Sequence, residues 1–135
     1  MAPELAALVP VTKFETEKAS ALVRLGFPAV EPVVPNLLEW LQDLNWPVGR
    51  VFQPFLMSIG RPLAPHIRII LAGHDDCWKF SVLSALINRS QDLAHALRPE
   101  LERLARHPSA GESKEEVNLI AIQILEAIGG AAAEA

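Results

Sequence analysis

Apolar residues recur at intervals of three and four along most of this chain. Leu22 and Leu25 open the pattern, and Val30, Val33, Val34, Leu37, Leu38, Leu41 and Leu44 continue it. Phe52, Phe55, Leu56 and Ile59 repeat it, followed by Leu63, Ile67, Ile70 and Leu71. Such spacing lines one face of a helix with apolar side chains. No segment alternates in the manner of a half-buried strand, and the short valine-rich runs are cut by prolines. The pattern predicts seven helices, over about 15–25, 29–44, 47–59, 63–72, 76–88 and 97–107, with a last one ending at Ile128.

Polar and special residues set the expected boundaries. Pro32 and Pro35 fall in the opening turns of the second helix, and Pro47 in the first turn of the third, with Asn45 as its N-cap. Asp75 caps the fifth helix, and Ser113 with Glu116 makes a capping box for the seventh. Residues 1–12, which include "ALVPV", are expected to be extended, "SQDLAHA" to be a loose connection, "SAGES" a loop and 130–135 a frayed tail. At 135 residues the chain is expected to form one domain.

A repeat emerges from the glycines and prolines. "LVRLGFP" at 22–28 matches "LMSIGRP" at 56–62, so that Gly26 and Gly60 are 34 residues apart, as are Pro28 and Pro62. Trp46 and Trp78 are 32 apart, and "LEAIG" ends at Gly129, 69 residues beyond Gly60. Pro99 takes the later proline's role in a degraded copy. Glycine after an apolar helix accepts the left-handed conformation of a helix C-cap, and proline two residues on cannot extend that helix but can open the next. Each motif therefore predicts one helix ending and an antiparallel one starting. The expected fold class is all-α, a right-handed α-α superhelix of about three and a half helical hairpins.

These residues resemble two known groups. "LGFPAVEPVVPNLLEWLQD" looks like HEAT-type repeats, particularly the short bacterial kind. Through "LVPVTKFETE", "LLEWLQDLNWPV", "IGRPLAPHIRIIL", "DDCWKF" and "EEVNLIAIQIL" the chain also resembles a small bacterial family named as a domain of unknown function, DUF5071. The HEAT resemblance implies a surface that binds proteins or nucleic acids. The second resemblance implies no activity.

Composition narrows the functions open to the chain. Half of the residues are hydrophobic and 21% are charged, which excludes general disorder. No apolar stretch approaches the roughly 18–20 residues that cross a bilayer, and no basic region precedes an apolar one near the N-terminus, so neither a membrane span nor a signal peptide is expected. Cys77 is the single cysteine, which forbids an internal disulfide and suits the cytoplasm. Net charge is −4, unevenly spread. Residues 45–74 hold Arg50, Arg61 and Arg68 with no Asp or Glu, between two acidic flanks that would repel a nucleic-acid duplex.

Two sets of residues are candidates for function. The recurring tryptophans begin equivalent helices, and Asp43, Asn45 and Arg50 accompany Trp46 while Asp75, Asp76 and Lys79 accompany Trp78. Paired aromatics among polar groups have the composition of interface hot spots, although indoles plugging the seam between repeats would leave the same trace. A second choice is a concave face with Glu39, His66 and Arg68, suited to an acidic segment or a phosphate. The expected role is non-catalytic: a small cytoplasmic protein that binds another protein, as a neutraliser or regulator of a neighbouring gene product. The competing role is a small-molecule-binding or hydrolase-like site at His74, Asp76 and Cys77. No metal or cofactor is expected, because the four histidines are scattered and one thiolate does not make a zinc site. The apolar last helix, with Val117, Ile120, Ile124, Leu125 and Ile128, is expected either to cap the stack or to pair with a second copy.

Overall fold

The structure, a computed structural model, describes residues 3–134, and the side chains of residues 5–129. Among them it is all-helical, with ten α-helices and four 3₁₀ turns. None of these helices is long and apolar enough to cross a membrane. The chain divides into two compact units, Met1–Ile59 and Gly60–Ala135.

The first unit contains α1 (Pro3–Leu8), α2 (Thr16–Leu25), α3 (Val34–Glu39) and α4 (Pro47–Ile59). Leu22, Leu37, Leu38, Leu41, Phe52 and Leu56 are fully buried and form its core, with α2 packed on both α1 and α4. Val48 N–H donates to the Lys13 carbonyl at 3.1 Å, which ties the α1–α2 connection to the start of α4. Two expectations fail here. Residues 1–12 are not extended throughout, because Pro3 opens α1 and "ELAAL" is made of good helix formers. The single helix expected over 29–44 is three pieces: a 3₁₀ turn at Glu31–Val33, α3, and a second 3₁₀ turn at Trp40–Gln42. Pro32 and Pro35 each lack an N–H and crowd the preceding turn, so the chain tightens before the α-helix can start.

The second unit contains α5 (Ala64–Leu71), α6 (Asp76–Ala85), α7 (Gln91–Ala96), α8 (Arg98–Arg106), α9 (Ala110–Lys114) and α10 (Val117–Glu134). Val117, Ala121, Ile124 and Ile128 bury one face of α10, which packs on α8, α6, α7 and α9. "SQDLAHA" is not a loose connection. Ser90 Oγ accepts from Leu93 N–H at 3.3 Å and caps α7, which buries Leu93 and Ala94. "SAGES" is not a loop but runs from the N-cap Ser109 into α9. The capping box is Ser109 with Glu112, not Ser113 with Glu116, and Glu116 instead takes a positive φ of 62° at the bend into α10. The helix continues past Ile128 to Glu134, and the tail expected at 130–135 lies outside the residues whose side chains are described.

The internal repeat is present locally in a different register. Gly26 (φ 76°) follows α2 and Gly60 (φ 72°) follows α4, as the glycine spacing implied. The helical elements that follow repeat at 30 residues, not 34. "EPVVPNLLEWL" at 31–41 and "RPLAPHIRIIL" at 61–71 each form a 3₁₀ turn and then an α-helix. Pro32 and Pro35 correspond to Pro62 and Pro65, and buried Val33, Val34, Leu37 and Leu41 to buried Leu63, Ala64, Ile67 and Leu71. The difference is the four residues 27–30, which separate Gly26 from the first copy and have no counterpart after Gly60.

Gly49 marks the tightest backbone approach in the first unit. A β-carbon there would stand 2.6 Å from the Trp40 carbonyl oxygen and 3.1 Å from that of Asp43. Neither carbonyl can rotate away as a side-chain tip could. Gly49→Ala should therefore lower unfolding free energy by about 1–3 kcal/mol, measured by urea denaturation. An unchanged midpoint would show that the turn at residues 40–43 yields freely.

Candidate functional site

The chemistry-bearing residues of the second unit converge where α5, α6, α8 and α9 meet. Asp75 is the N-cap of α6, its carboxylate accepting from Trp78 N–H at 3.0 Å. One turn on, Lys79 points inward and is only 3% exposed. Its ammonium lies 2.9 Å from Asp76 Oδ1 and 2.7 Å from Glu112 Oε2. Glu112, 1% exposed, sits in the first turn of α9 and folds back on its own N-cap, accepting from Ser109 N–H at 2.8 Å. Arg103 of α8 completes the cluster. Its Nη1 and Nη2 reach Glu112 Oε1 and Oε2 at 2.6 and 3.0 Å, and Nη2 also donates to the Leu71 carbonyl at 3.4 Å, at the end of α5.

The Glu112 carboxylate thus receives four donors with almost no exposure to water. A buried carboxylate would otherwise favour its neutral form. Burial pushes its pKa up, but the hydrogen bonds from Arg103, Lys79 and the Ser109 backbone outweigh burial and bring it from an ordinary 4.5 to about 2. For Lys79, burial works to lower the pKa, and Glu112 and Asp76 outweigh it, so that the ammonium is held above its ordinary 10.5. Two cations and two anions balance. Gly111 lets α9 approach, because a β-carbon there would collide with the Asp76 carboxylate.

The expected tryptophan rim is distributed as follows. Trp46 and Trp40 belong to the first unit and are half-buried, their rings edge-to-face with centroids 5.4 Å apart and planes at 73°. Asn45 is exposed and does not cap α4: Trp46 holds the position before Pro47, and Asn45 N–H donates to Asp43 Oδ1 at 2.8 Å. Arg50 and Glu39 are exposed. In the second unit Trp78 and His66 are half-buried, Asp75 is exposed and committed as a cap, and Lys79 is withdrawn from the surface altogether. Arg68 is exposed and bonds to Glu100 Oε2 at 3.2 Å and to the Ala96 carbonyl at 3.0 Å.

His74, Asp76 and Cys77 do come together. With Asp75, Gly111, Lys114 and Glu115 they line an open depression of about 640 Å³. The Cys77 thiol donates to Glu115 Oε1 at 3.4 Å. That bond, the charge of Glu115, burial, and the charges of Asp75 and Asp76 all push the thiol pKa up. Attacking cysteines need the opposite shift.

Glu112 and Arg103 were not singled out by sequence reasoning. The signal was present, since Ser109-x-x-Glu112 is as good a capping box as Ser113-x-x-Glu116. What the sequence lacked was a reason to choose the first, and that reason is the pair of cations on α6 and α8.

Among the described residues the chain is all-helical, and its second unit is built around this charged junction. The chain matches the family described as Domain of unknown function (DUF5071) over residues 8–125, and it belongs to that family. No curated protein matches it.

A folded-state pKa below the unfolded value means that Glu112 stabilises the protein above pH 4.5 and loses that contribution as pH falls from there toward 2. The full loss, reached below pH 2, should be on the order of 3 kcal/mol. Lys79 contributes below its ordinary pKa and loses its contribution only as pH rises through the alkaline range. Urea titrations between pH 7 and 3 should show the acid loss. Glu112→Gln, which leaves Lys79 and Arg103 short of an anion, should cost about 3–5 kcal/mol at pH 7 and flatten the acid slope. A variant with wild-type stability and slope would refute the network.

Proposed function

We propose that this chain is a HEAT-like helical-repeat module that acts in the cytoplasm without catalysis, by binding another protein. A neutraliser or regulator of a neighbouring gene product is the specific form. The observation that carries the proposal is the state of Cys77. The group best suited to nucleophilic attack donates to Glu115 in a wide, open depression, and the surrounding carboxylates keep it protonated. Such a corner suits a surface contact better than an enclosed reaction.

Two further features support it. The helix–glycine–3₁₀–helix unit occurs twice with matched buried positions, as a repeat protein requires. Large apolar side chains also face solvent, including Ile69 on α5, Phe14 in the turn before α2 and Leu119 on α10. Trp46 and Trp78 are half-buried at helix starts, and aromatic side chains of that kind are enriched in interface hot spots.

Affinity capture from the native host's lysate tests the proposal, with circular dichroism confirming each variant's fold. Cys77→Ala should capture the same partner as wild type. The Trp46→Ala/Trp78→Ala double variant should lose it by about tenfold or more, as loss of two hot-spot aromatics would require. A Cys77→Ala variant that loses its biological effect while still folded would instead establish the thiol as a reactive group.

A further inference from the structure

Another depression of the second unit, smaller than the one at Cys77, lies between α7 and α10 and has a volume of about 270 Å³. Ile87, Ala94, Ile124 and Ile128 form an apolar wall, and none of them is more than 2% exposed. Core packing therefore fixes the wall before any ligand arrives. The space exists because Ala94 on α7 and Ala127 on α10 line it with single methyl groups.

The rim has the opposite character. Asn88 and Arg89 of the 3₁₀ turn Ile87–Arg89, and Gln91 at the start of α7, line it and are exposed. The turn is held by its own backbone. Arg89 N–H donates to the Leu86 carbonyl and Ser90 N–H to that of Ile87, both at 3.2 Å, and Ser90 caps α7. Among the described residues, no hydrogen bond or ion pair engages the side chains of Asn88, Arg89 or Gln91. Arg68, Arg98 and Arg103 of the same unit differ, since they face carboxylates at 3.2, 3.8 and 2.6 Å. Arg89 thus keeps all five N–H donors, in a fork that matches a carboxylate.

An uncommitted guanidinium beside a preformed apolar wall calls for a ligand with both characters. An inorganic anion leaves the wall in contact with water, and a hydrocarbon leaves the cation unused. We propose that the α7–α10 depression binds a short aliphatic carboxylate, its head on Arg89 with an amide of Asn88 or Gln91 donating to it, and its chain on Ile124 and Ile128. The chain is roughly six carbons long, because sites for larger ligands begin at about 300 Å³. The site shares no residue with the Cys77 depression and is independent of Trp46 and Trp78, so it goes beyond the protein-binding proposal and stands or falls separately.

The test is a titration of the ¹⁵N-labelled full-length chain with hexanoate, hexanamide and acetate, followed by backbone amide shifts. Hexanoate should shift residues 87–91 and 124–128 saturably at about millimolar concentration. Hexanamide keeps the chain without the charge and acetate keeps the charge without the chain, and each should bind about tenfold more weakly or worse. Arg89→Gln alters a side chain that has no partner, so it should keep its melting temperature while binding hexanoate about tenfold more weakly. Ala127→Leu fills the depression from an exposed helical position where leucine is nearly as good a helix former as alanine, and should abolish binding in a folded protein. Absence of a saturable shift, hexanamide binding as tight as hexanoate, or undiminished binding by either variant would each overturn the proposal.

Discussion

Four donors converge on the buried carboxylate of Glu112, and the second unit is arranged around that meeting. Lys79 comes from α6, Arg103 from α8 and the Ser109 amide from the start of α9, while Arg103 also reaches the last turn of α5. Without the carboxylate, Lys79 would be a buried ammonium with Asp76 as its one remaining anion, and Arg103 would lose its bidentate anchor. Buried ions are tolerated only when geometry and hydrogen bonding compensate their dehydration. Here the compensation also fixes where a five-residue helix sits, something α9 is too short to do by its own propensity.

The same interaction governs what the surface offers. Asp76 faces Lys79 on one side and lines the Cys77 depression on the other. Arg103 faces Glu112 inward and, outward, lines an open depression of about 470 Å³ with Arg68, Leu71, Ala72, Pro99 and Glu100. Two surface depressions therefore share a buried support. Cys77 lies outside this support and is held by Glu115.

Much of the fold was legible in the chain. The three-and-four spacing placed α2, α4, α5, α6 and α8 near their true bounds, since burial of an apolar face decides those elements. Glycine spacing located the two positive-φ residues Gly26 and Gly60, although their ψ angles of 176° and −132° lie outside the left-handed helical region expected of a C-cap. The failures share a cause. α1, α7 and α9 are five or six residues long, too short for a periodicity to register, and their signals are caps and single buried side chains. The 3₁₀ turns before α3 and α5 follow from the paired prolines, which the glycine–proline pairing had placed out of register by four residues. Of the site, Asp75 as a cap and the proximity of His74, Asp76 and Cys77 were readable locally. The burial of Lys79 was not, because its partner Glu112 is 33 residues away and looked like a loop residue.

A double-mutant cycle between Lys79 and Glu112 tests this account most directly. Lys79→Met, Glu112→Leu and the pair together would be compared by urea denaturation at pH 7. Each single change leaves the other buried charge one partner short, with only Arg103 for Glu112 or only Asp76 for Lys79, whereas the pair removes both. The account predicts that the double variant is more stable than the sum of the single losses implies, with a coupling of about 1–3 kcal/mol. Additive losses would contradict it, and would mean that the two side chains are buried side by side without depending on one another.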